Sequence, residues 1–101
     1  MQLLTEEVKA ALPPLRSQED NPDPLIRVKF FTPDAGWTWY ATEGSPEGGD
    51  FIFFGYVVGV EPEWGYFSLA ELSSVRGKLG LPVERDRFFR PCPASEITKR
   101  A

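Results

Sequence analysis

The sequence predicts an α+β fold: one antiparallel β-sheet, a three-strand meander plus one or two short strands, packed with two short helices. Three observations carry this expectation. Between residues 25 and 60 the runs "LIRVKFF", "WTWYATE" and "FIFFGYVVGV" are separated only by short turn sequences, which is the mark of hairpin-linked strands. Capped stretches with helical spacing stand before and after them. The chain has 101 residues, 42% apolar and 26% charged, enough for one core and one domain spanning 1–101.

The elements follow in order. In "LLTEEVKAALPP", Thr5 suits an N-cap and Glu6 and Glu7 sit in the first turn, where the helix dipole favours acids. Leu4, Val8, Ala11 and Leu12 form its apolar stripe, and Pro13 and Pro14 end it. "LRSQEDNPDP" is polar and proline-rich and reads as a surface loop. The first strand is expected over 25–31, with Ile26, Val28 and Phe30 alternating against Arg27, Lys29 and Phe31. "TPDAG" is a turn, since Pro33 pre-sets the backbone and Gly36 accepts positive φ.

The second strand, 37–43, puts Trp37, Trp39 and Ala41 on one face and Thr38, Tyr40 and Thr42 on the other. "GSPEGGD" reads as a turn. The third strand, 51–60, is apolar on both faces, as in a central strand covered on both sides. Gly55 within it marks a bulge or a close backbone approach. "EPEWG" reads as another turn and "YFSL" as a short strand. Ser68 with Glu71 forms a capping box for a helix over 68–77, with Leu69, Leu72 and Val75 buried and Gly77 at C′. "LPVERDRFFRP" is extended and anchored by Phe88 and Phe89, and "SEITKR" is a frayed helical turn.

Composition narrows the chemistry. There is no histidine and one cysteine, Cys92. A histidine-dependent triad, an intrachain disulfide and a His/Cys zinc site are therefore excluded within this chain. No run approaches the ~20 apolar residues of a membrane span, and the start lacks the basic leader and apolar stretch of a signal peptide. The expectation is a cytoplasmic protein with no membrane association and no cofactor. The net charge is −4, unevenly placed: residues 1–75 carry four basic and twelve acidic side chains, residues 76–101 seven and three.

The segment 28–44, "VKFFTPDAGWTWYATEG", concentrates the aromatics. In one reading Trp37, Trp39, Phe51 and Phe53 fill the core, as a small domain requires. In the other, Trp37, Trp39 and Tyr40 form a binding platform beside Arg27 and Lys29, suited to stacked bases or a protein surface. Asp34 and Glu43 begin a nuclease-like pattern of Pro-Asp and then Glu-any-Lys. Glu43 is followed by Gly44 and Ser45, so Asp34 reads better as a turn residue. In "VRGKLGLPVERD", Arg76, Lys78, Arg85 and Arg87 beside Gly77 and Gly80 suggest a phosphate cradle. The plainer reading is a helix stop followed by an ion-pair cluster of Glu84, Arg85 and Asp86.

Four segments carry a family resemblance: "LPPLRSQE" (12–19), "VKFFTPDAGWTWYATEGSP" (28–46), "FFGYVVGVEPEWGYFSLAEL" (53–72) and "VRGKLGLPVERD" (75–86). Through them the chain resembles a family of short bacterial domains of unknown function (domain of unknown function 2958), often plasmid- or mobile-element-associated. The resemblance implies a role in the biology of mobile DNA and names no activity.

The residues point to a small accessory module that binds a protein partner without catalysis, through Trp37, Trp39, Tyr40, Arg27, Lys29, Arg76 and Arg85. The alternative is a single-stranded nucleic-acid-binding or nuclease-like element of mobile DNA. A third reading is an enzyme using Asp34, Glu43 or Asp86 as acid or base.

One asparagine, two glutamines, one methionine and ten prolines, with seven Arg to four Lys, point to a thermophilic source. A thermal unfolding scan is expected to place Tm above about 65 °C, the upper end of the ordinary mesophile range. A midpoint of roughly 45–65 °C contradicts that origin.

Overall fold

A computed structural model describes residues 2–99. It is α+β: a five-stranded antiparallel sheet, a separate two-stranded sheet and three short helices. The strands of the large sheet are β2 (Val28–Phe31), β3 (Thr38–Glu47), β4 (Asp50–Val58), β5 (Pro62–Ser68) and β6 (Glu84–Arg85), in the order β5-β4-β3-β2-β6. The small sheet pairs β1 (Leu25–Ile26) with β7 (Cys92–Pro93). The helices are α1 (Glu6–Ala11), α2 (Leu69–Ser74) and α3 (Ala94–Thr98).

Apolar side chains cover both faces of the large sheet. On the first face, Val28, Phe30, Trp39, Ala41, Phe51, Phe53 and Phe67 meet Leu3, Leu4, Leu12, Leu72 and Val83. Phe53 lies at its centre, with ring centroids of Phe30, Phe51 and Phe67 5.4, 5.1 and 5.1 Å away. On the second face, Ile26, Tyr56, Ala94 and Ile97 are buried with Tyr40, Val58, Phe89 and Cys92 packed around them. The core reading thus holds for Trp39, Phe51 and Phe53.

β3 carries the decisive irregularity. Its register against β4 runs Tyr40↔Tyr56 and Ala41↔Gly55, then jumps to Glu43↔Phe54 and Gly44↔Phe53. Thr42 is the extra residue of a β-bulge, buried, with its hydroxyl donating to the Phe54 carbonyl at 3.2 Å. The bulge resets the alternation. Gly44 opposes Phe53 on the first face, and Glu43 opposes Phe54 on the second. Gly55 stands opposite, where a Cβ would lie 1.8 Å from the Tyr40 carbonyl oxygen. Both readings of Gly55 therefore apply: the close approach is its own, and the bulge lies on the neighbouring strand.

The expected N-cap residues accept the expected amides, Ser68 supplying its half of the capping box. Val8 N–H donates to Thr5 Oγ1 at 3.2 Å, and Glu71 N–H to Ser68 Oγ at 3.0 Å. α3 has no side-chain cap of its own. Asp23, distant in sequence, supplies one, accepting from the Ser95 hydroxyl and the Ser95 backbone N–H, both at 2.8 Å. These two bonds, the hydroxyl's first, hold the Asp23 carboxyl below its usual value.

Several boundaries differ from expectation. The first strand is two strands, broken at Arg27. "GSPEGGD" is mostly strand, because the β3–β4 hairpin turns only at Gly48-Gly49, where Gly48 has φ 61°. "EPEWG" is likewise strand from Pro62 onward, since Trp64 pairs with Tyr56 and Gly65 with Gly55. α2 ends at Ser74 with Val75 as C-cap, so Gly77 is not a C′ residue. Instead it makes room for Asp34, whose Oδ1 would lie 1.5 Å from a Cβ there. Ala11 is exposed, as is Phe88 at 87%, while Phe89 packs on Tyr40 at 6.2 Å. The C-terminal turn is the helix α3, anchored by buried Ala94 and Ile97; Arg100 of that segment lies outside the described residues.

Gly55→Ala is expected to destabilise the fold by about 2–4 kcal/mol in urea unfolding, since its methyl meets backbone that cannot yield. A loss below about 0.5 kcal/mol contradicts the close approach.

Candidate functional site

On the second face, beyond the cover given by β1, β7 and α3, lies an open groove of about 390 Å³. Its floor is Phe54 and Thr42, with Trp64 and Tyr66 of β5 beside them; its wall is the segment 16–24, with Arg16, Gln18, Pro22 and Pro24. The rings form a continuous shelf. Phe54 stacks on Trp64 at 5.9 Å and 17°, Tyr66 meets Phe54 edge-on at 4.9 Å, and Tyr56 packs on Trp64 at 5.3 Å. Trp64 and Tyr66 stay 42% and 57% exposed. They stand two residues apart on one strand, so both point to the same face.

Glu43 builds the wall. Its carboxylate is buried, and it accepts Arg16 N–H at 2.9 Å and Gln18 N–H at 2.8 Å, one on each oxygen. Ser45, two residues along the same face, accepts Leu15 N–H at 2.9 Å. A buried charge needs such partners, and here they come from the loop backbone. The arrangement fixes Arg16 at φ 72°, the only positive φ outside glycine among the described residues. That conformation is costly for a long side chain and marks sites held by their surroundings.

The residues expected to form a platform are dispersed. Trp39 is buried at 7% exposure, and Trp37, 39% exposed, stacks on it at 5.9 Å and lies over Gly59. Tyr40 is half-buried on the opposite face, with Lys29 Nζ 5.8 Å from its ring centre. Lys29 also pairs with Asp86 at 3.8 Å. Arg85 opposes Phe30 on the first face and donates to the Gln2 and Leu3 carbonyls at 2.7 and 3.1 Å. Arg76 donates to the Ser73 and Val75 carbonyls at the end of α2. Arg27 is half-buried at the break between β1 and β2. Trp37, Trp39 and Arg76 meet only in a second cleft of about 620 Å³ beside α2.

The three carboxylates do not converge. Asp34 Oδ2 accepts Leu79 N–H at 2.7 Å, Glu43 holds the 16–18 backbone, and Asp86 accepts Phe88 N–H at 3.0 Å. Among the described residues no three His, Cys, Asp or Glu side chains gather as a metal site would need. Sequence reading passed over Phe54, Trp64, Tyr66 and Arg16. The signal for two of them was present in "EWGYFS", where Trp64 and Tyr66 alternate with Gly65 and Phe67.

No described helix is long and apolar enough to cross a membrane. Arg16→Gly is expected to keep the fold and raise stability by up to about 1 kcal/mol, because glycine adopts φ 72° freely. A loss of more than about 1 kcal/mol in chemical denaturation contradicts strain at this position. No curated protein and no solved structure matches the chain. A family model described as "Protein of unknown function (DUF2958)" matches residues 3–100, and the chain belongs to that family.

Proposed function

We propose that this domain is a non-enzymatic accessory module that binds a protein partner, holding an extended apolar segment in the groove between β5 and the 16–24 wall. The observation that carries the reading is the exposed pair Trp64 and Tyr66 over Phe54, with Arg16 at the rim. Trp, Tyr and Arg dominate protein-interface energetics, and the groove volume and mixed lining suit a side chain or two of a partner. The second cleft offers one half-exposed ring, Trp37, and is the weaker seat.

A catalytic role has less support, because Asp34, Glu43 and Asp86 each spend oxygen atoms on backbone N–H groups in separate places. Single-stranded nucleic acid also has less support. Arg76 and Arg85 serve backbone carbonyls, Lys29 pairs with Asp86, and the net charge is negative.

The test is affinity capture from the native host with the wild-type domain and a Trp64→Ala/Tyr66→Ala variant, alongside a labelled single strand titrated at two salt concentrations. The expected result is a protein whose recovery falls at least roughly tenfold with the variant, the loss of about 1.4 kcal/mol or more at a hot spot, and no binding of the strand. Recovery that ignores the variant, or strand binding that weakens with salt, contradicts the reading.

A further inference from the structure

We propose that two copies of this chain join through β5, pairing antiparallel about Gly65 to make one continuous ten-stranded sheet. β5 is an edge strand of seven residues with β4 on one side. Among the described residues, no hydrogen bond from outside the β4 ladder reaches its backbone between Pro62 and Phe67. Soluble proteins blunt such edges by shortness, bulges, charge or proline. The opposite edge, β6, is two residues long. β5 has only Pro62 at its start and a single charge, Glu63, and then runs Trp-Gly-Tyr-Phe-Ser in regular register.

Gly65 is the second observation. A Cβ there would meet nothing within 4 Å, and its φ is not positive, so the chain's own fold gives no reason for glycine. Glycine inside a strand weakens it and often marks close approach of another backbone. Gly65 is also the midpoint of Pro62–Ser68, so pairing about it aligns the full strand with itself. That register makes about six backbone hydrogen bonds. It sets Trp64 of each copy opposite Tyr66 of the other, two aromatic cross-strand pairs. Registers centred on Trp64 or Tyr66 shorten the overlap and break those pairs.

Charge disfavours registers centred nearer Glu63 and is no obstacle to this one. Glu63 falls opposite Phe67, so the two Glu63 carboxylates stand about 13 Å apart along the strands, beyond the ~8 Å screening length. In this sheet both grooves open on one side, with their aromatic shelves meeting across the axis. The assembly is separate from the partner-binding proposal: a monomer with a working groove removes this inference and leaves that one standing.

Sedimentation equilibrium over roughly 10 µM to 1 mM, with Gly65→Glu and Gly65→Cys variants, tests it. Wild type is expected to reach about twice the 11.4 kDa chain mass. Gly65→Glu points into open space, so its circular dichroism should match wild type, and its dimer dissociation constant should rise at least roughly tenfold by opposing two charges at the axis. Gly65→Cys should oxidise to a disulfide between the two substituted sites, because directly opposed Cα atoms lie about 4.5–5.5 Å apart, within disulfide reach. Gly49→Cys in the exposed hairpin turn should not. A wild type that stays monomeric, a folded Gly65→Glu that dimerises as wild type does, or failure of Gly65→Cys to cross-link overturns the proposal.

Discussion

One extra residue in β3 governs the shape of this molecule. Thr42 has no register partner on β4, and the chain absorbs it as a bulge rather than slipping the whole strand. Without the bulge, Glu43 would point into the Phe30–Phe53–Phe67 core, where a carboxylate has no donors. With it, Glu43 turns to the other face and takes the Arg16 and Gln18 amides. Two small features make the bulge tenable. Gly55 leaves room for the Tyr40 carbonyl, and the Thr42 hydroxyl supplies a donor to the Phe54 carbonyl.

The groove follows from that constraint. The 16–24 segment is polar and has no regular structure, so little apolar burial holds it down. A buried carboxylate with two short backbone bonds, and Ser45 with a third, substitutes for a core. Asp23 then ties the end of the same segment to α3 through Ser95. The wall is thus fastened at both ends, and the rings of Phe54, Trp64 and Tyr66 remain open between it and the sheet edge.

Much of the fold was legible because its determinants are local. The meander follows from alternation and from turn residues at Pro33-Asp34 and within "GSPEGGD", and the first two helices from Thr5 and Ser68. Gly55 announced the crowding around the bulge. What stayed hidden depends on partners far along the chain. "EPEWG" resembles a turn, and only pairing with Tyr56 and Gly55 makes it strand. Gly77 resembles a helix stop, and only Asp34, 43 positions earlier, explains it. The site was less legible than the fold. Trp37 and Trp39 drew attention by density, yet strand alternation does not say which side chains are wet: Trp39 is buried, Trp37 is half-exposed against it, and the exposed rings of the groove are Trp64 and Tyr66.

Amide hydrogen exchange at Arg16 and Gln18 tests most directly whether Glu43 holds the groove wall. If it does, these two loop amides exchange as slowly as those of the β3–β4 ladder, because each is bonded to a buried carboxylate. Exchange at the rate of the neighbouring exposed loop would mean that the bulge turns Glu43 toward nothing it secures, and the account of the groove would fail.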